Sequence, residues 1–148
     1  MGSSGAERKR AVLDTLRDHG LKPVWTAPED GFDFRYGREM GRKFLTDGTE
    51  ATCIITPNDM AAWGCINAFE EAGLKVPADI SVIGADGLRF PCPLYLDSFY
   101  LPSYEIGVEG TEMLIAMIED RQVEHHRVLP VSRIAGNSIR NLADAPVR

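Results

Sequence analysis

Residues 56–86, TPNDMAAWGCINAFEEAGLKVPADISVIGAD, leave few folds open to this chain. The runs CIIT at 53–56 and SVIGA at 81–85 are short and apolar, as strands are, and a helical apolar pattern lies between them. Thr56 offers an N-cap, Pro57 the first helical position and Asp59 an acidic residue in the first turn. Ala62, Cys65, Ile66, Phe69 and Ala72 make the buried face, Met60 and Trp63 widen it, and Gly73 and Pro77 stop it. Two strands joined by a crossover helix lie parallel, with a right-handed connection. Asn58 and Asp86 then follow the carboxyl ends of neighbouring strands, the rim where open α/β sheets bind ligands.

The rest of the chain extends the same pattern. Residues 7–19 read as a helix with Val12, Leu13 and Leu16 as a partial stripe and Gly20 past its end. Residues 1–6 read as a tag or a disordered start. Val24-Trp25-Thr26 is a possible strand. From Phe34, the residues Gly37, Met40, Gly41, Phe44, Leu45 and Gly48 keep helical spacing, and the glycines would let that helix lie close against a sheet. Residues 87–97 form an irregular loop, 98–101 a strand ended by Pro102, and 104–120 a helix with Ile106, Gly110, Met113, Leu114 and Met117 on one face. Short strands near 127–129 and 132–135 precede a polar tail. Strands alternating with helices predict an α/β fold, a parallel sheet flanked by helices.

Charge and cysteines exclude several classes. A formal charge of -6 argues against nucleic-acid binding by this segment, because phosphate affinity needs clustered cations; Arg8-Lys9-Arg10 is the only dense basic run. No apolar run approaches a membrane span, and the first residues lack the apolar core of a signal peptide. Three cysteines, Cys53, Cys65 and Cys92, give no disulfide framework and fit a reducing cytoplasm. Cys53 and Cys65 fall in apolar patterns and read as core residues; Cys92 lies in a loop. His125-His126 would point to opposite faces of a strand and so make a poor chelate; they read as surface residues. No metal site, cofactor motif or catalytic signature stands out, so no enzyme activity is expected.

The segments TPNDMAAWG and EEAGLKVPADISVIGAD closely resemble the effector-binding domain of bacterial repressors of the lactose-repressor/galactose-repressor family. Arg8 before a helix, the Gly20-Leu21 turn, Pro102 before a helix carrying Gly107, and Val128-Leu129-Pro130 match in order, so the resemblance covers roughly residues 8–138. It implies the second lobe of a two-lobed periplasmic-binding-protein-like domain in a ligand-responsive transcriptional regulator, with residues 7–103 in that lobe and 104–138 running to the first lobe and back. It implies a sugar or nucleoside-like effector, operator DNA read by a domain absent from this chain, and a homo-oligomer. The alternative is part of a periplasmic-type sugar-binding transport protein.

Carried over by position, Asn58 and Asp86 match the family's cleft-lining amide and carboxylate, Arg8 an effector-binding arginine, and Phe32 an aromatic that stacks on the effector. The chemistry fits. A carboxylate accepts from vicinal hydroxyls, an amide donates and accepts, a guanidinium donates in a plane, and a ring face covers a pyranose or a purine. Each has a plainer reading: Asn58 as a helix cap, Asp86-Gly87 as a turn, Arg8 as a surface cation and Phe32 as a core side chain. Departures are Leu101, where relatives carry a Gln, and Gly87, where they carry a second Asp. The helix at 104–120 would lack a sheet to cover it in an isolated chain, which predicts self-association or a rearranged packing.

Overall fold

A computed structural model describes residues 4–28, 31–90 and 93–141. Its elements are α1 (Ser4–Asp18), α2 (Phe34–Asp47), β1 (Cys53–Ile55), α3 (Asp59–Glu71), β2 (Ser81–Ile83), β3 (Ser98–Tyr100), α4 (Ser103–Ile118) and β4 (Ser132–Ile134). The α/β expectation holds. β1 and β2 pair parallel, with Ile54 opposite Val82, and α3 crosses between them. β3 and β4 pair antiparallel. Single parallel bridges, Ile83 with Asp97 and Asp86 with Tyr100, join the two pairs into one layer in the order β1-β2-β3-β4.

The segment after β4 wedges between β2 and the start of β3. The Val82 amide donates to the Ser138 carbonyl at 2.9 Å, and the Ser138 hydroxyl donates back to the Val82 carbonyl at 2.6 Å. The Asp97 amide donates to the Ser138 hydroxyl oxygen at 2.7 Å, and the Ser138 amide donates to the Asp97 carboxylate at 3.2 Å. Ser138 is fully buried, and every one of these polar groups finds a partner, as buried groups must.

The core is one cluster of Phe44, Ala62, Cys65, Ile66, Phe69, Ile80, Val82 and Leu96. Phe44 and Phe69 meet edge to face at 5.7 Å, and Trp25 caps Phe44 at 5.5 Å. The α3 stripe is therefore buried as its spacing predicts, except that Ala72 is the exposed C-cap.

Several expectations need correction. α2 lies against α3 and not against a sheet. A Cβ on Gly37 would fall 2.0 Å from the Ala61 carbonyl oxygen, and one on Gly64 would fall 2.1 Å from that of Phe34, so the glycines set a helix–helix crossing. The cap of α3 is Asn58, whose side chain accepts from the Ala61 amide; the Thr56 hydroxyl instead lies 2.9 Å from the Ile83 carbonyl and 3.0 Å from that of Asn58, held by the strand pairing. Neither 24–26 nor 127–129 forms a strand, because neither finds a neighbouring strand to complete a ladder. Trp25 is held instead by the Phe44 ring and by an indole hydrogen bond to Asp47 at 2.8 Å.

Helix α1 starts at Ser4, so 4–6 form its first turn; Gly5 packs so closely on Phe32 that an added Cβ would sit 2.3 Å from the ring. Cys53 is exposed, because three residues of edge strand leave it uncovered, whereas Cys65 is buried. Cys92 lies outside the described residues. His125 and His126 are both exposed and not in a strand.

Candidate functional site on the carboxyl rim of the sheet

The backbone brings the two polar residues of the strand–helix–strand unit together. Beyond β1 and β2 the chains stay paired: the Thr56 amide donates to the Ile83 carbonyl at 3.0 Å, and the Asp59 amide donates to that of Ala85 at 2.7 Å. Asn58 and Asp86 flank this last bond, one residue before Asp59 and one after Ala85. Because the two strands run parallel, both residues fall at the same end of the sheet.

Arg8 reaches this rim from α1. Its guanidinium donates to the Pro57 carbonyl at 2.6 Å and lies 3.5 Å from the Asp86 carboxylate. The Asp86 side chain is 29% exposed and that of Arg8 35%, so the pair is open to solvent on one side. Burial pushes the Asp86 carboxyl above its ordinary range; the Arg8 charge opposes that shift, and the neighbouring Asp59 adds to it. Asp86 also has φ 116°, a conformation L residues rarely hold. Perturbed titration and backbone strain in one residue are what ligand sites concentrate.

Phe32 completes the cluster in a different manner from a free stacking platform. It is 42% exposed, its ring rests on Gly5 of α1, and its carbonyl accepts from the Asn58 amide nitrogen at 2.7 Å. Asn58 is thus used in both senses within the protein: its oxygen accepts from the Ala61 amide at 2.9 Å, and its nitrogen holds the Phe32 backbone. All four residues named from the sequence lie around one patch, with Arg8 and Asp86 facing each other and Asn58 tying Phe32 beside them.

Gly87 sits where a side chain has little room. Its φ is 76°, and a Cβ there would sit 2.9 Å from Ile134 and 3.1 Å from the Tyr100 backbone. The sequence presents Asp59 only as an acidic residue in the first turn of α3 and Ser98 only as part of a strand. The structure buries both beneath the Asp86 turn. An acidic residue next to an all-apolar helical stripe was the one available signal for Asp59. Among the described residues no group of three or more His, Cys, Asp or Glu side chains is placed to hold a metal ion.

The fold has close counterparts among known proteins. The family model described as a periplasmic binding protein-like domain matches residues 2–139. The HTH-type transcriptional repressor PurR of Pasteurella multocida (strain Pm70) is 32% identical over 127 residues, covering 79% of this chain and 36% of the relative. The ribose operon repressor of Lactococcus lactis subsp. lactis (strain IL1403) is 27% identical over 112 residues, covering 74% and 34%. The crystal structure of a transcriptional regulator of the LacI family from Burkhoderia phymatum superposes with a TM-score of 0.80 at 26% identity, covering 92% of this chain and 50% of that one. The chain spans about a third of the length of the curated relatives it matches. With the match running through the whole rim cluster, this chain belongs to the periplasmic binding protein-like domain family.

Proposed function

We propose that this chain is the effector-binding second lobe of a ligand-responsive transcriptional regulator, and that Arg8, Phe32, Asn58 and Asp86 mark its half of the ligand cleft. The observation that carries the reading is the Arg8–Asp86 pair, half-buried at 3.5 Å on the carboxyl rim of two parallel strands. A planar donor facing a carboxylate acceptor suits a neutral ligand with adjacent hydroxyls, a sugar or a nucleoside, which takes hydrogen bonds from the one and gives them to the other. Phe32 supplies an apolar face at the edge. The relatives' names, a ribose operon repressor and an HTH-type transcriptional repressor, support a role in transcription, and the first of them supports a sugar ligand.

Residues 7–103 form the lobe in this reading, and 104–138 run toward a first lobe and return as β4. Operator DNA is contacted by a separate domain, and ligand binding acts by favouring one closure of the two lobes over the other. The chain itself, with 22 acidic against 16 basic residues, does not bind DNA. No helix among the described residues is long and apolar enough to cross a membrane.

Assembly follows from α4. Tyr104, Ile106, Leu114, Met117 and Ile118 are each more than half exposed, and only Ala116 is buried. Each large apolar side chain left in water forgoes roughly 1.5–3 kcal/mol, so this face is covered in the working protein by further polypeptide, and in the isolated chain by a second copy.

The test is an NMR titration of the 148-residue chain with D-ribose, L-arabinose, D-glucose, adenosine and hypoxanthine at millimolar concentration. Amide shifts confined to Arg8, Phe32, Asn58 and Asp86 with one of these probes, lost in Asp86→Ala, support the reading. Shifts elsewhere, or shifts indifferent to that substitution, refute it.

A further inference from the structure

The carboxylate of Asp59 takes no part in the contacts proposed with a ligand, yet it is fully buried at the start of α3. One of its oxygens accepts from the Leu88 amide at 2.6 Å. The other accepts from the Ser98 hydroxyl at 2.6 Å. The Ser98 oxygen, itself buried, accepts from the Gly87 amide at 3.2 Å. One carboxylate therefore holds both amides that follow Asp86 in the chain, one directly and one through a hydroxyl. On the other side, the Asp86 amide donates to the Phe99 carbonyl at 3.0 Å.

We propose that Asp59 and Ser98 are positioning residues for Asp86: their buried relay clamps the Gly87 and Leu88 amides and so holds the Asp86 carboxylate turned toward Arg8 on the rim.

The strain at Asp86 makes such a clamp necessary. A residue at φ 116° relaxes unless its surroundings over-determine it. The bonds on either side of Asp86, to Phe99 before and to Asp59 and Ser98 after, are that over-determination. A carboxylate serving only the α3 dipole would sit in water at the helix end. This one is withdrawn from water and spends both oxygens on a loop and a strand from elsewhere in the chain. The room for it is reserved as well: a Cβ on Gly84 would fall 2.1 Å from its oxygen. Charge-assisted bonds from amide and hydroxyl donors are the strong kind, and here they replace the hydration the buried carboxylate gives up. The consequence for affinity rests on Asp86 being a ligand contact. The clamp itself does not.

Hydrogen exchange of the labelled 148-residue chain, read amide by amide, tests it without any ligand. In the parent chain the Gly87 and Leu88 amides exchange slowly. In Ser98→Ala the Gly87 amide accelerates about tenfold or more, and in Asp59→Asn the Leu88 amide does, while Val82 and Thr56 stay within about twofold of the parent. The Asp86 carboxyl carbon resonance moves in both variants. Unprotected Gly87 and Leu88 amides in the parent overturn the proposal with no variant needed, so a variant that fails to fold does not shelter it. Acceleration spread evenly over the sheet, or an unmoved Asp86 resonance, overturns it too. A clamp that behaves as expected in a chain blind to D-ribose, L-arabinose, D-glucose, adenosine and hypoxanthine supports the positioning role and removes the ligand reading alone.

Discussion

Replacing Asp86 by glycine and by alanine separates backbone strain from side-chain chemistry at one position. Both substitutions delete the carboxylate and the 3.5 Å pair with Arg8, so these losses cancel in the comparison. What remains is the backbone. At φ 116° an alanine keeps a Cβ in a region that costs L residues about 1–3 kcal/mol, while glycine sits there freely. Glycine instead loses about 0.5–1 kcal/mol through the extra freedom of its unfolded state. The glycine variant is therefore expected to be more stable than the alanine variant by about 1 kcal/mol. Urea unfolding followed by Trp25 and Trp63 fluorescence reads this directly. With a slope of about 2 kcal/mol per molar, the midpoints differ by about 0.5 M. Equal midpoints, or a higher one for alanine, would show that Asp86 carries no backbone strain and would undo the case for a clamp around it. Both variants are expected to lose the probe response at the rim, since neither retains the acceptor.

Three further outcomes follow from the same geometry. The raised Asp86 carboxyl means that the folded state holds a proton where the unfolded state has released it, so its effect on stability falls as pH rises through the folded value. Asp86→Asn is accordingly expected to be more stable than the parent at neutral pH, with the difference vanishing in acid; thermal melts across pH check this, and an acid-only advantage would reverse the sign. Gly37→Ala should destabilise by about 1–3 kcal/mol through overpacking against the Ala61 carbonyl, as chemical denaturation would measure. Burial pushes the Cys65 thiol up to about 12, so in the native chain at pH 8 a maleimide should leave it unlabelled until denaturant is added, as mass spectrometry of the peptides would report.

Legibility in the sequence followed the range of the interactions. The strand–helix–strand unit was readable because periodicity, stop signals and the handedness of the crossover are local rules, and together they placed Asn58 and Asp86 at one rim. The glycine spacing of α2 was readable as a close contact, but not its partner: a stripe of small residues looks alike whether a sheet or a helix lies against it. Thr56 and Asn58 are both good caps, and the choice fell to Asn58 only because strand pairing engages Thr56 with Ile83.

Composition, pattern and the 56–86 segment by themselves determined an α/β domain, the parallel pair, the face of α3 and the shared rim of Asn58 and Asp86, while Arg8 and Phe32 entered through the family resemblance. Tertiary structure alone decided what those residues do to one another. It spent the Asn58 amide on its own helix and on Phe32, set Arg8 against Asp86 across 78 positions of sequence, and buried Asp59 and Ser98 as the support beneath them. The physical reason is that a hydrogen bond or a strained φ depends on distances between segments remote in the chain, and no local pattern of residues encodes those distances.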